Sequence, residues 1–291
     1  MENKNVITLT LSPDDQDRLY ATWQEYASQK LPAYARFQLR PENCVITCYN
    51  TGRTVFQGKD PSVYAAAFTA APAAEIQSAQ AGSDEVGTGD YLGPVCVAAV
   101  IVQPAQFSLL QSLGIRDSKA LKDEDIRELA PKIMKELTHT LLIVEPSKYN
   151  EVHTRDNMNA IKAKLHNQAY LNLMKKAELP ALKIIDQFTP EPIYYHYLKN
   201  TRNIVRGIHF ETKAEDKYPA VGAASVLARY AFLTRMDTLE KEYDMPFAKG
   251  GGAQADKSAV EFCRRYGYER LPEIAKMHFK NTERVRSLLG M

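Results

Sequence analysis

The sequence predicts a two-part α/β protein, with a small α+β domain over residues 1–75 and a larger α/β domain over residues 76–291. Three observations predict it. Residues 6–69 read as strand, helix, three strands and helix, and an Ala-rich tract at 65–81 with Pro72 follows as a linker. Beyond the linker, short apolar strands alternate with amphipathic helices, as in sheets flanked by helices. Two of those strands run into carboxylates, at Asp84-Glu85 and at Asp186.

In the first domain, Val6–Leu11 alternates Val, Ile and Leu with Thr, and Ser12-Pro13-Asp14-Asp15 supplies an N-cap, a first-turn proline and first-turn acids. Leu19, Trp23 and Tyr26 would form the buried stripe of the helix that follows. Tyr34–Leu39, Asn43–Tyr49 and Arg53–Gln57 read as strands, the last two joined by a turn at Asn50-Thr51-Gly52, and Asp60-Pro61 opens the next helix. One sheet face is expected to stay open. Arg36, Gln38, Arg40, Arg53, Gln57 and Lys59 lie on or beside these strands, as a solvated face or a phosphate-tracking surface.

In the second domain, strands are expected at Ala79–Asp84, Val95–Val102, Thr140–Val144, Lys183–Phe188 and Ile204–Phe210. Helices are expected from Asp117-Ser118-Lys119-Ala120-Leu121 through Leu137, over Asn157–Ala177, Tyr194–Lys199, Ala220–Tyr243 and Asp256–Tyr266, and near Thr282–Leu289. On the second of these, Ile161, Leu165, Ala169, Leu173 and Met174 share one side, and Lys162, Lys164, His166, Lys175 and Lys176 lie elsewhere.

The formal charge of +2 reflects 37 basic against 35 acidic side chains, so any nucleic-acid surface must be a local basic patch. The longest wholly apolar run is too short to span a bilayer and no basic-then-apolar signal opens the chain; a cytoplasmic protein is expected. Cys44, Cys48, Cys96 and Cys263 lack metal-ligand or disulfide-framework spacing and read as reduced structural thiols. Nothing calls for an obligate protein partner, and a monomer is expected.

Gly82-Ser83-Asp84-Glu85-Val86-Gly87-Thr88-Gly89-Asp90-Tyr91-Leu92-Gly93-Pro94 places two carboxylates before glycines that let backbone approach a ligand closely. Taken alone it reads more readily as a polar turn. Asp84, Glu85, Asp186 and one acid from Glu211, Glu215 or Asp216, however, all fall at strand or helix ends. Converging carboxylates repel one another unless cations compensate them, and two hard divalent ions, Mg²⁺ or Mn²⁺, satisfy that demand and suit phosphoryl chemistry. Other chemistries fit worse. There is a single Trp and hence no aromatic-rich sugar cleft, Gly87-Thr88-Gly89 lacks the Gly-Lys-Ser/Thr of a phosphate loop, and no His-x-x-x-His or Gly-x-Ser-x-Gly occurs.

The Gly82–Pro94 run, Asp117-Ser118-Lys119, the strand ending in Asp186, and Lys213-Ala214-Glu215 before Tyr218-Pro219-Ala220-Val221-Gly222-Ala223-Ala224-Ser225 resemble bacterial ribonuclease HIII. The resemblance implies a ribonuclease H-like mixed sheet flanked by helices, and an N-terminal domain similar to the TATA-box-binding protein fold. It implies endonucleolytic cleavage of the RNA strand of RNA–DNA hybrids, leaving 5′-phosphate and 3′-hydroxyl ends. The family's acidic quartet falls on Asp84, Glu85, Asp186 and Glu215, the first three as metal ligands. Gly87, Thr88 and Gly89 would read the ribose 2′-hydroxyl, and Ser118 and Lys119 would meet phosphate. The sister group, ribonuclease HII, has Gly-Arg-Gly where this chain has Gly87-Thr88-Gly89, so runs of several ribonucleotides are expected to be preferred over a single embedded one. The competing readings are a non-catalytic nucleic-acid-binding protein on the same fold and a ribonuclease HII-like enzyme incising at single ribonucleotides.

Overall fold

The computed structural model describes residues 5–69, 78–115 and 121–291. The chain divides into two compact units, residues 1–75 and 76–291. The first contains β1 (Asn5–Thr10), α1 (Pro13–Trp23), β2 (Ala35–Leu39), β3 (Cys44–Tyr49), β4 (Arg53–Gly58) and α2 (Pro61–Thr69). Its sheet is antiparallel throughout, in the order β1-β4-β3-β2. Ser12 caps α1 by accepting from Asp15 N at 3.1 Å. Leu19, Phe37, Leu39, Ile46 and Phe56 make the core, and Cys44 and Cys48 join it from the inward side of β3 as free thiols.

Several expectations for this unit change. Tyr26 leaves the helical stripe, 40% exposed, because α1 tightens into a 3₁₀ turn at Gln24–Tyr26. Arg36 turns to α1, donating to Gln16 at 2.8 Å and Asp17 at 2.6 Å, while Gln38 is buried and donates to Thr47 at 2.9 Å. Arg53, Gln57 and Lys59 remain exposed. The expected linker at 65–81 gives residues 65–69 to α2 and 80–81 to the next strand, because alanine favours helix as readily as it fills a tether; residues 70–77 lie outside the described residues.

The second unit contains β5 (Gln80–Val86), β6 (Val95–Val102), α3 (Phe107–Ser112), α4 (Asp123–Glu136), β7 (Thr138–Val144), α5 (Pro146–His153) and α6 (Met158–Met174). It continues with β8 (Leu182–Asp186), α7 (Glu191–Tyr197), β9 (Ile208–Glu211), α8 (Pro219–Glu242), α9 (Ala253–Tyr266) and α10 (Asn281–Leu288). The mixed sheet has the order β7-β6-β5-β8-β9, with β5, β6 and β7 antiparallel and β8 and β9 parallel to β5.

All eight residues of β6 are buried, which requires cover on both faces. On one face lies α8, whose Ala220, Ala223 and Ala224 permit close approach; a Cβ on Gly82 would stand 2.4 Å from Val221 N. The other face is packed by α6 and α7 through Ala163, Tyr170, Leu173 and Tyr194.

Two helices that the sequence reading did not place are present, α3, within the loop expected after Val102 and behind a 3₁₀ turn at Pro104–Gln106, and α5; a first-turn proline opens the 3₁₀ turn and α5. The last sheet strand begins at Ile208 rather than Ile204, because Val205 N donates to the Asn167 side chain at 2.9 Å instead of to a ladder. No helix among the described residues is long and apolar enough to cross a membrane.

Candidate active site

Parallel pairing places the C-terminal ends of β5, β8 and β9 on one edge of the sheet, where ligands gather in such folds. Gly82 pairs with Ile184 and Ser83 with Ile185, so the next residue on each strand is an acid at the same level, Asp84 on β5 and Asp186 on β8. Strand alternation then fixes direction. Asp84 shares the face of Gly82, toward α8, where the Ser225 hydroxyl bonds it; Glu85 shares the face of Ser83, toward α6.

The adjacent acids therefore part company. Glu85 ion-pairs with Lys162 Nζ, and its Oε2 lies 2.7 Å from His166 Nε2. The other ring nitrogen of His166 bonds Ser83 Oγ at 2.7 Å, so one imidazole ties the acid to its own strand. Lys162 Nζ sits 4.0 Å from the centroid of the Phe188 ring, on which His166 also stacks. Burial works against ionisation of Glu85, but His166 and Lys162 outweigh it and hold the carboxyl below its ordinary range.

Lys162 and His166, expected away from the buried side of α6, are 8% and 0% exposed, whereas Met174, expected on it, is 54% exposed. The overlooked signal is the four-residue spacing Lys162, His166, Tyr170 along one helix line, with Tyr170 Oη donating to Ile184 O at 2.6 Å.

Asp186 Oδ1 accepts from Ala214 N at 3.0 Å, and Lys213 N donates to the same carboxylate. Lys213 adopts φ 57°, a left-handed conformation that lets two successive N–H groups converge on the acid. The turn delivers Glu215, 6% exposed, beside Asp186, and leaves its neighbour Asp216 exposed. Glu211, the third alternative for the fourth acid, is bound by Lys217, by Tyr218 Oη at 2.8 Å and by His209 at 3.1 Å; against the cost of burial these hold it at about pKa 2.

The remaining acids repel. Burial, then the charge of Glu85 and more weakly that of Asp186, pushes the Asp84 carboxyl up to about 8. Asp186 is raised by burial and by Glu215 and Glu85, against the opposing backbone N–H groups. Two half-buried hard-oxygen donors on one sheet face, driven toward protonation by one another and by neighbouring acids, fit a divalent cation, which would relieve that repulsion. Among the described residues no group of three or more His, Cys, Asp and Glu side chains is already set to hold a metal ion.

The Gly87–Gly93 loop leads from β5 and is pinned by distant parts of the chain. Gly87 has φ 96° and a Cβ there would stand 2.1 Å from Pro94 O, so only glycine fits; Gly89 faces open space. Asp90 Oδ1 accepts from Gly250 N at 2.6 Å, Tyr91 N donates to Gly250 O at 3.0 Å, and the buried Lys276 Nζ donates to Gly93 O at 2.5 Å. Burial lowers Lys276 to about 8, against the favourable charge of Asp90. Ser118 and Lys119, expected at phosphate, lie outside the described residues.

Known proteins share this architecture. A family model described as Ribonuclease HII matches residues 81–282, and one described as a domain of unknown function matches residues 6–81. Ribonuclease HIII of Bacillus cereus is 37% identical, the alignment covering 98% of this chain and 99% of that protein. Ribonuclease HIII of Bacillus anthracis is 39% identical over 90% of this chain and 92% of its own length. The crystal structure of Bst-RNase HIII in complex with Mn2+ superimposes with a TM-score of 0.71 at 34% identity, covering 98% of this chain and 99% of that one. The ribonuclease H2 from Pyrococcus horikoshii OT3 shares the fold, with a TM-score of 0.62 at 22% identity over 73% of this chain and 99% of its own. In sequence and in architecture, then, the chain belongs to the ribonuclease HIII family.

Proposed function

We propose that the chain hydrolyses the RNA strand of RNA–DNA hybrids endonucleolytically, leaving 5′-phosphate and 3′-hydroxyl ends, with Asp84, Asp186 and Glu215 facing the scissile phosphate. The observation that carries this is the placement of Asp84 and Asp186 at one level on adjacent parallel strands, with Glu215 turned in beside them. Three carboxylates on one edge serve a cation and phosphate better than they serve a fold. Asp84, Glu85 and Asp186 would hold Mg²⁺ or Mn²⁺ through side-chain oxygens, and Glu215 would complete the site or position water. Glu85 reaches the site from a strand end that Lys162 and His166 fasten. When bound, such ions supply neutralising charge at the phosphate and activation of water.

This chain's residues do the rest. Ser225 and the backbone N–H groups of Lys213 and Ala214 orient Asp84 and Asp186 before substrate arrives. Gly87-Thr88-Gly89, with Gly89 open to solvent, offers backbone groups to the 2′-hydroxyl that marks RNA. Thr88 in place of arginine favours runs of ribonucleotides. Residues 1–75 form a substrate-binding domain, with Arg53 and Lys59 exposed to contact phosphate, and the site works in a monomer.

Incubating a labelled hybrid with Mg²⁺ or Mn²⁺ and the parent or Asp84→Asn protein tests the assignment. Cleavage by the parent alone is expected; cleavage by both proteins, or by neither, refutes it. Efficient incision at one isolated ribonucleotide in duplex DNA would overturn the role given to Thr88. Unchanged hybrid affinity after deletion of residues 1–75 would remove the binding role of the first unit.

A further inference from the structure

A second feature of the catalytic unit lies at the opposite end of the sheet from Asp84 and Asp186. Here the C-terminal turn of α6, the start of β8 and the segment 202–206 enclose a groove of about 890 Å³. Four of its lining residues are cations, Lys175, Lys183, Arg202 and Arg206, and none is a carboxylate. In a chain whose net charge is only +2, that concentration is local. Among the described residues none of the four pairs with a carboxylate, and Lys175, Arg202 and Arg206 are exposed. Arg206 is steadied by the Tyr195 ring, 5.1 Å away.

Between the cations the groove is apolar, lined by Leu171, Met174, Leu179 and Ile204. Met174 is 54% exposed there, an unbranched thioether that adapts to what it meets. One wall is preformed. The buried Asn167 side chain accepts from Val205 N and donates to Asn203 O, both at 2.9 Å, fixing the segment that carries Arg202 and Arg206.

We infer that this groove docks an acidic peptide segment of a partner protein, its carboxylates on the four cations and one bulky apolar side chain on the Met174 floor. Charge complementarity names the acid, and the apolar floor names the rest. A phosphodiester backbone brings charge but no aliphatic group to place between the cations, whereas an Asp- or Glu-rich peptide carrying Phe or Leu brings both. The groove's volume suits one or two such side chains. Its place away from the acidic edge leaves the nuclease site free while a partner is bound, so docking would recruit the enzyme rather than inhibit it. The inference does not depend on the proposed cleavage reaction.

The test is fluorescence anisotropy with the full chain and a short fluorescein-labelled peptide in which Asp and Glu flank a single Phe. Binding is expected, weakened about tenfold or more by Arg202→Glu with Arg206→Glu, and weakened likewise when the peptide's Phe becomes Ser. Met174→Glu should act in the same direction. Hybrid cleavage by these variants should match the parent, which also shows that they fold. Absence of peptide binding, or binding indifferent to the substitutions, overturns the inference. So does a labelled duplex that competes on the groove and loses affinity through the same substitutions, which would make the groove a nucleic-acid subsite.

Discussion

Asp84→Asn should abolish cleavage and, in metal-free protein, raise stability. The folded carboxyl keeps its proton up to about pH 8, while its ordinary value is 3.8. Between those values the unfolded chain sheds a proton that the folded one retains, so stability falls as pH rises through the window and levels off above it. Each unit corresponds to about 1.4 kcal/mol. At pH 7, about three units above the ordinary value, the ceiling is therefore about 4 kcal/mol. The amide keeps an oxygen for Ser225 and for Glu85 N, but its NH₂ must find a partner in a buried site. We therefore expect a net gain of about 1–3 kcal/mol at pH 7, smaller at pH 5 and largest near pH 8. Urea denaturation of both proteins in EDTA across that range measures it. A variant no more stable than the parent at pH 8, or a gap that does not change with pH, would show that Asp84 is not held in a repulsive environment.

Further outcomes follow from the same geometry. Lys162→Met leaves the buried Glu85 carboxylate with His166 alone and should cost about 3–5 kcal/mol, with Lys162→Arg restoring part; an unchanged thermal melt would refute the pairing. Glu215→Gln should nearly abolish hybrid cleavage while Asp216→Asn is tolerated, and the reverse pattern would move the fourth acid to Asp216. Gly87→Ala meets both a left-handed backbone and Pro94 O, so a loss of about 1–3 kcal/mol and slower cleavage are expected; a neutral effect on melting would contradict the rigid loop. Because Asp84 and Asp186 are both raised, activity at limiting Mg²⁺ should increase with pH from 6 to 8 as the carboxyls ionise; a flat titration would contradict those shifts.

Local patterns made much of the fold legible. The β6 strand at Val95–Val102, the Ser12 cap, the Gly52 turn and the long helix behind Pro219 depend on neighbours a few residues away, and each could be placed from the chain alone. The strand-end placement of Asp84 and Asp186 was legible because a carboxylate that closes an apolar strand stands out from the packing residues before it. Lys162 and His166 were not, since a lysine and a histidine on a helix default to solvent until something opposite demands them.

The sequence by itself determined the kind of chemistry, through the types of residue at strand ends, and the family, through four separate motifs along the chain. Only the tertiary structure decided direction. Strand alternation sends Asp84 toward α8 and Glu85 toward α6, and parallel pairing brings Asp186 level with Asp84. A left-handed Lys213 turns Glu215 inward, and Gly250 and Lys276, far along the chain, hold the glycine loop. These are contacts between residues distant in sequence, so their energies appear only when the chain has closed on itself.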